Sequence, residues 1–163
     1  DGAGERSAEW LTDLDIPNLV VDWQDYRAGT LRILSLPWWE SEEEKARVAN
    51  WVSNYVKDPE DTIIWVNHAP AYGTRPAWNR KADNGDPALT DWIEAQQPKI
   101  VFSGHVHNAP YYPEGGWNDR VGETIVLNGG MTTGEIPATL VYHRPANSLT
   151  WTGMEGTEVL PLA

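Results

Sequence analysis

Apolar positions along this chain fall into two periods. Short continuous runs occupy residues 18–23 (NLVVDW), 31–36 (LRILSL), 62–66 (TIIWV) and 99–103 (KIVFS), each bounded by proline, glycine or polar residues. Runs of that length, rich in β-branched side chains, predict buried strands. The first two lie on either side of a turn at residues 26–30 (YRAGT) and predict a hairpin. Between the second and third runs the period changes. Val48, Trp51, Val52, Tyr55 and Val56 recur at helical spacing behind Ser41 and Glu44, a capping box, and Asp58-Pro59 stops the helix. A second helix is predicted after Asp86-Pro87, with Leu89, Trp92 and Ile93 facing inward and Pro98 closing it. Residues 7–14 read as a short helix or turn closed by Ile16-Pro17. Residues 69–85 and 108–122 are rich in glycine, proline, asparagine and aromatic residues and read as long loops, and strands follow at 124–127, 138–142, 149–152 and 157–160. Strand–helix–strand–helix–strand followed by a run of strands predicts an α/β fold of layered mixed sheets flanked by helices. No repeat or linker divides residues 1–163, which read as a single domain.

Composition narrows the partners. A net charge of −12 disfavours duplex nucleic acid, whereas a small phosphorylated substrate remains compatible because bound cations would dominate the local field. There is no cysteine, so any metal has to be held by nitrogen and oxygen. No apolar run is long enough to span a membrane and no leader peptide is visible, so the expected location is cytoplasmic. The chain begins at Asp1-Gly2 rather than methionine and is read as a piece of something longer. Ten tryptophans against one phenylalanine is a bias that composition leaves without a reason.

The chemistry lies at two strand ends. The run at 99–103 stops at Gly104-His105-Val106-His107, and the run at 62–66 stops at Asn67-His68. Ligands in α/β sheets bind beyond the carboxyl ends of the strands, so neighbouring strands would bring three imidazoles to one rim. Alternation in an extended segment would aim His105 and His107 the same way, with Gly104 supplying the tight backbone path. Asn67 and Asn108 are candidates to orient the histidines beside them. Arg75 and Trp78, in the loop after His68, are candidate substrate contacts, with Arg80 and Lys81 nearby. Trp38-Trp39 reads as core packing, with a rim or interface position the alternative. His143 reads as structural, and Glu42, Glu43 and Glu44 as a helix start rather than a cation site.

Asn67-His68-Ala69-Pro70 and Gly104-His105-Val106-His107, with residues 124–130 (TIVLNGG) downstream, resemble the last blocks of the calcineurin-like metallophosphoesterases. The resemblance spans roughly residues 18–151. It implies a four-layer sandwich of two sheets between helices, here incomplete. It also implies a centre of two divalent ions (Mn, Fe, Zn or Ni), with His68 and His105 on one and His107 on the other. A hydroxide bridging the two would attack phosphorus in line. The family's Asp-x-His, Gly-Asp-x-x-Asp and Asn-His-Asp/Glu blocks have no counterpart here, so its catalytic histidine is not in this chain. Asp13, Asp15, Asp22 and Asp25 precede the strands without forming such a block.

The leading expectation is therefore a metal-dependent phosphoesterase, cleaving a phosphate mono- or diester, of which this chain supplies part of the site. A missing N-terminal segment or another chain would complete it. By itself the chain is expected to hold at most one ion, loosely, and to turn over little or no substrate, and its buried parallel strands would leave an open edge. The alternatives are a non-catalytic binding or scaffold domain of the same ancestry and an unrelated three-histidine metal protein.

Overall fold

A computed structural model describes residues 16, 20–55, 57–131 and 137–162, and the fold below is theirs. They form β1 (Gln24–Ala28), β2 (Leu31–Ser35), α1 (Glu42–Asn54), β3 (Thr62–Val66), α2 (Pro87–Gln96), β4 (Ile100–Ser103), β5 (Asn118–Val121), β6 (Thr124–Asn128), β7 (Thr139–His143), β8 (Ser148–Gly153) and β9 (Gly156–Pro161). The first sheet has the order β1-β2-β3-β4-β6-β5, and the second β7-β8-β9. The inner pairs β2–β3, β3–β4 and β4–β6 are parallel, while the outer pairs β1–β2 and β5–β6 are antiparallel.

Alternate residues of the parallel strands serve two cores. Leu34, Ile63, Trp65, Val101 and Val126 face Val48 and Val52 of α1 and Leu89 and Ile93 of α2. Ile64, Ile100, Ile125 and Leu127 face Leu149 and Trp151 of β8, with Trp117 and Leu162. The described residues thus make three layers, helices over sheet over sheet. Burial on both faces is why the inner strands read as unbroken apolar runs. Both helices begin as their sequences predict. Ser41 Oγ accepts from Glu44 N while the Glu44 carboxylate accepts from Ser41 N. Asp86 Oδ1 accepts from Ala88 N and Leu89 N, and its Oδ2 from Trp39 Nε1. No helix among the described residues is long and apolar enough to cross a membrane.

Three expectations need correction. The first strand is not at 18–23 but at Gln24–Ala28, and the expected turn at 26–30 is mostly strand. Val20 and Val21 are irregular and Trp23 has a φ of 66°. The true turn is Gly29-Thr30, with Gly29 at φ 60° joining Ala28 to its partner Leu31. An edge strand covered on neither face has no need of an apolar run, so the polar QDYRA passed for a turn. The polar NDRV of β5, in which only Val121 is buried, was likewise hidden inside a predicted loop. The parallel strands also have no open edge among the described residues, because β1 and β5 flank them with short polar strands. The predicted element at 7–14, Asp13, Asp15, Asn18 and Val56 lie outside the described residues.

Candidate functional site

The sheet's own hydrogen bonds assemble the rim. Beyond the regular strands, Leu36 N donates to Val66 O, Asn67 N to Phe102 O, and Gly104 N to His68 O at 3.0 Å. These extensions carry Trp38, His68 and His105 out side by side from the carboxyl ends of β2, β3 and β4. The expectation that neighbouring strands deliver His68 and His105 to one place is met: His68 Nε2 and His105 Nδ1 face each other at 3.0 Å.

The path of residues 104–107 differs from the one expected. The segment is not extended, and the positive φ falls on His105, at 63°, rather than on Gly104. Val106 N donates to Gly104 O at 2.7 Å, closing a three-residue turn around His105. A γ-turn with positive φ at its centre is rare and strained, although histidine tolerates that region better than most side chains. A side chain at Gly104 would approach His68 O only to 3.9 Å, so glycine is not demanded there by contact.

Anchors from neighbouring elements hold this turn in place. Asn128, at the end of β6 and fully buried, donates through Nδ2 to Val106 O at 2.9 Å and to Pro76 O at 3.0 Å, while its Oδ1 accepts from Gly130 N. Met131 N donates to His107 O at 2.9 Å. Asn128 was legible in sequence only as part of the strand and turn at 124–130. Its positioning role follows from a sheet neighbour no spacing rule reveals.

His68 is half-buried, and His105 and His107 are exposed. Burial lowers the His68 pKa, and the neighbouring charges of His105 and, more weakly, His107 lower it further. A neutral imidazole at pH 7 is the form that binds metal. Two imidazole nitrogens each about 2.0–2.1 Å from one cation, at angles between roughly 90° and 109°, stand about 2.9–3.4 Å apart. The facing pair fits two positions on one ion by that measure. No group of three or more His, Cys, Asp or Glu among the described residues makes a complete ligand set.

The other candidates divide. Asn67 is buried; its Nδ2 donates to Ala69 O at 2.8 Å, and its Oδ1 has no hydrogen-bond partner. His107 and Asn108 line an open cleft of about 210 Å³ together with His105, Val106, Asn79 and Asn84. Arg75 and Trp78 do not line it. The Arg75 guanidinium lies against Gly116, and Trp78 pairs with Asp83 in an isolated bridge with its indole N–H buried. Asn79 and Asn84 were missed because asparagine in a loop reads first as a turn former. Trp39 is core as expected, but Trp38 is 45% exposed and stands at the rim, its ring 5.1 Å from that of His68 and 6.0 Å from that of His105.

Comparison with solved structures finds overlaps at low sequence identity. One overlaps with a TM-score of 0.55 at 13% identity, over 89% of this chain and 55% of its own. Purple acid phosphatase PPD1 from yellow lupin (Lupinus luteus) seeds overlaps at 0.44 with 13% identity, over 85% of this chain and 32% of its own. TT1561 of Thermus thermophilus overlaps at 0.39 with 9% identity, over 86% of this chain and 56% of its own. The first of these likenesses speaks to the fold alone, and this chain spans about half or less of each structure's length. No curated protein sequence matches significantly. The model of the calcineurin-like phosphoesterases matches residues 5–109, well over half of the 163 residues and inclusive of all three rim histidines. The chain belongs to the calcineurin-like phosphoesterase family.

Proposed function

We propose that this chain supplies the histidine side of a two-metal phosphoesterase centre acting on a small phosphorylated molecule, in a cytoplasmic setting. At the level of the family, the chemistry is metal-dependent phosphoester hydrolysis, generally with two metal ions. The supporting observation is the facing pair of nitrogens on His68 and His105, 3.0 Å apart at adjacent strand ends. In this reading His68 and His105 would hold one ion and His107 would take part in holding a second. Divalent ions at such a site polarise the phosphoryl oxygens and activate water. The chain's own contribution is to keep the His68 ring neutral by burial, to fix His105 by its strained turn, and to carry His107 on a loop tied to β6. Asn67, through its bond to Ala69 O, steadies the backbone on either side of His68. Carboxylate ligands would come from outside the described residues.

Mn(II) titration of the isotopically labelled chain, followed by paramagnetic broadening, tests this. The ring signals of His68 and His105 should broaden at Mn(II) concentrations that leave His143 sharp, and His105→Ala should abolish that selectivity. Equal broadening of His143 and His68 would refute the metal assignment. The absence of a third His or acidic ligand beside the pair among the described residues favours a second reading, a non-catalytic binding or scaffold domain of the same ancestry. Selective Mn(II) binding without turnover of bis-p-nitrophenyl phosphate would support it over the first.

A further inference from the structure

The cleft beside His105 and His107 has a chemistry of its own. Three of its six lining residues are asparagines, Asn79, Asn84 and Asn108, and no charged side chain lines it, in a chain that carries 24 acidic and 12 basic residues. The asparagines are not merely completing turns. Asn79 Oδ1 accepts from Lys81 N and Ala82 N, both at 3.1 Å, which fixes the carboxamide and leaves both Nδ2 protons without a partner among the described residues. Asn84 Nδ2 donates to Ala82 O at 3.0 Å, which leaves Oδ1 without one. Asn108 precedes the turn at Ala109–Tyr111 and makes no side-chain cap bond to it. The wall therefore presents uncharged donors and acceptors together.

We propose that this cleft is a subsite for the organic part of the substrate and that it selects a small polyhydroxy group, of the size of glycerol or a pentose. A hydroxyl donates and accepts at once, and so matches a wall that offers both. A cationic head group would find no carboxylate among the lining residues, and a carboxylate would find no lysine or arginine. At about 210 Å³ the cleft is smaller than sites for drug-sized ligands, which run to roughly 300–1,000 Å³, and suits a group of a few carbons and oxygens. The assignment rests on the preceding reading in one respect: the phosphorus sits at the histidines, so its ester substituent extends into the cleft.

The test is a pair of titrations of the 15N-labelled chain, with ribose 5-phosphate and with methyl phosphate, each with and without Zn(II). Ribose 5-phosphate should bind roughly tenfold more tightly, as two or three net hydrogen bonds imply, and should move the side-chain amide signals of Asn79 and Asn108. Asn79→Asp keeps the turn acceptor and removes the donors; Asn108→Ala removes a side chain that caps nothing. In both variants the affinity ratio should fall towards one. Equal affinities in the unaltered chain, or a preference undiminished in both variants, would overturn the proposal. Zn(II)-dependent binding of both esters with no preference would sink the subsite and leave the metal reading standing. A preference for ribose 5-phosphate independent of Zn(II) would uphold the subsite and count against the metal reading.

Discussion

At the scale of single residues, the rim is built from side chains in unfavourable surroundings. His68 is pressed between burial and a neighbouring imidazole, and His105 sits at a φ of 63° in a turn that costs about 1–3 kcal/mol. The His68 shift has a definite consequence for the metal-free chain. Its folded-state pKa is below the ordinary 6.5, so as pH falls through that value the unfolded chain takes up a proton that the folded chain resists. Stability is therefore full above about pH 6.5 and declines on acidification until the folded-state pKa is passed. His68→Gln removes the effect. Urea midpoints at pH 7.5 and 5.5 should show a larger acid loss for the unaltered chain than for the variant, and identical losses would refute it. The histidines themselves were legible from spacing. The positive φ at His105 was not, because only the pull of Asn128 and Met131 on residues 106 and 107 defines that path.

At the scale of elements, what the sequence displayed was whatever local physics decides. The capping box at Ser41, the Asp86-Pro87 start and the unbroken apolar runs of β3 and β4 each carry their own signal, and all stand in the fold. The edge strands β1 and β5 did not, because their pairing is imposed by a neighbour and their side chains are largely exposed or only half-buried. The rim was half legible for the same reason. His68 and His105 follow from strand ends, whereas Trp38, Asn79 and Asn84 arrive from loops whose course the sheet dictates. Asn128 is where the two kinds of information meet, since one side chain joins β6 to the loops after β3 and β4. Asn128→Ala leaves the buried Pro76 and Val106 carbonyls and the half-buried Gly130 amide without their partner. The expected cost is about 3 kcal/mol, read from urea unfolding. Asn128→Asp, which keeps the acceptor but buries a charge, should cost at least as much. A loss under about 0.5 kcal/mol in both would mean that the rim loops hold their course without β6.

At the scale of the whole molecule, the two cores share one sheet, and the tryptophan excess finds its place there. Trp39 and Trp92 pack on the helical side, with ring centroids 5.0 Å apart, while Trp117 and Trp151 stack at 6.3 Å between the two sheets. Trp117 Nε1 donates to Glu158 of β9, and Trp151 Nε1 donates to Gly129 O, next to the Asn128 anchor. The three-stranded sheet is thus tied by indole hydrogen bonds and a shared apolar layer to the sheet that carries the rim. Strands β7 to β9 alone would leave Leu149, Trp151 and Leu160 uncovered on one face, and so small a sheet needs the partner layer to be stable. Unfolding should therefore be a single event. Leu149 is fully buried in the inter-sheet layer, and Leu149→Ala should cost about 3 kcal/mol, whereas Val159→Ala, at a position 62% exposed, should stay within about 0.5 kcal/mol. In urea, tryptophan fluorescence and far-ultraviolet circular dichroism should report the Leu149→Ala transition at one common lowered midpoint. Two separated transitions would mean that the sheets unfold independently, and that the rim's support ends at the first sheet.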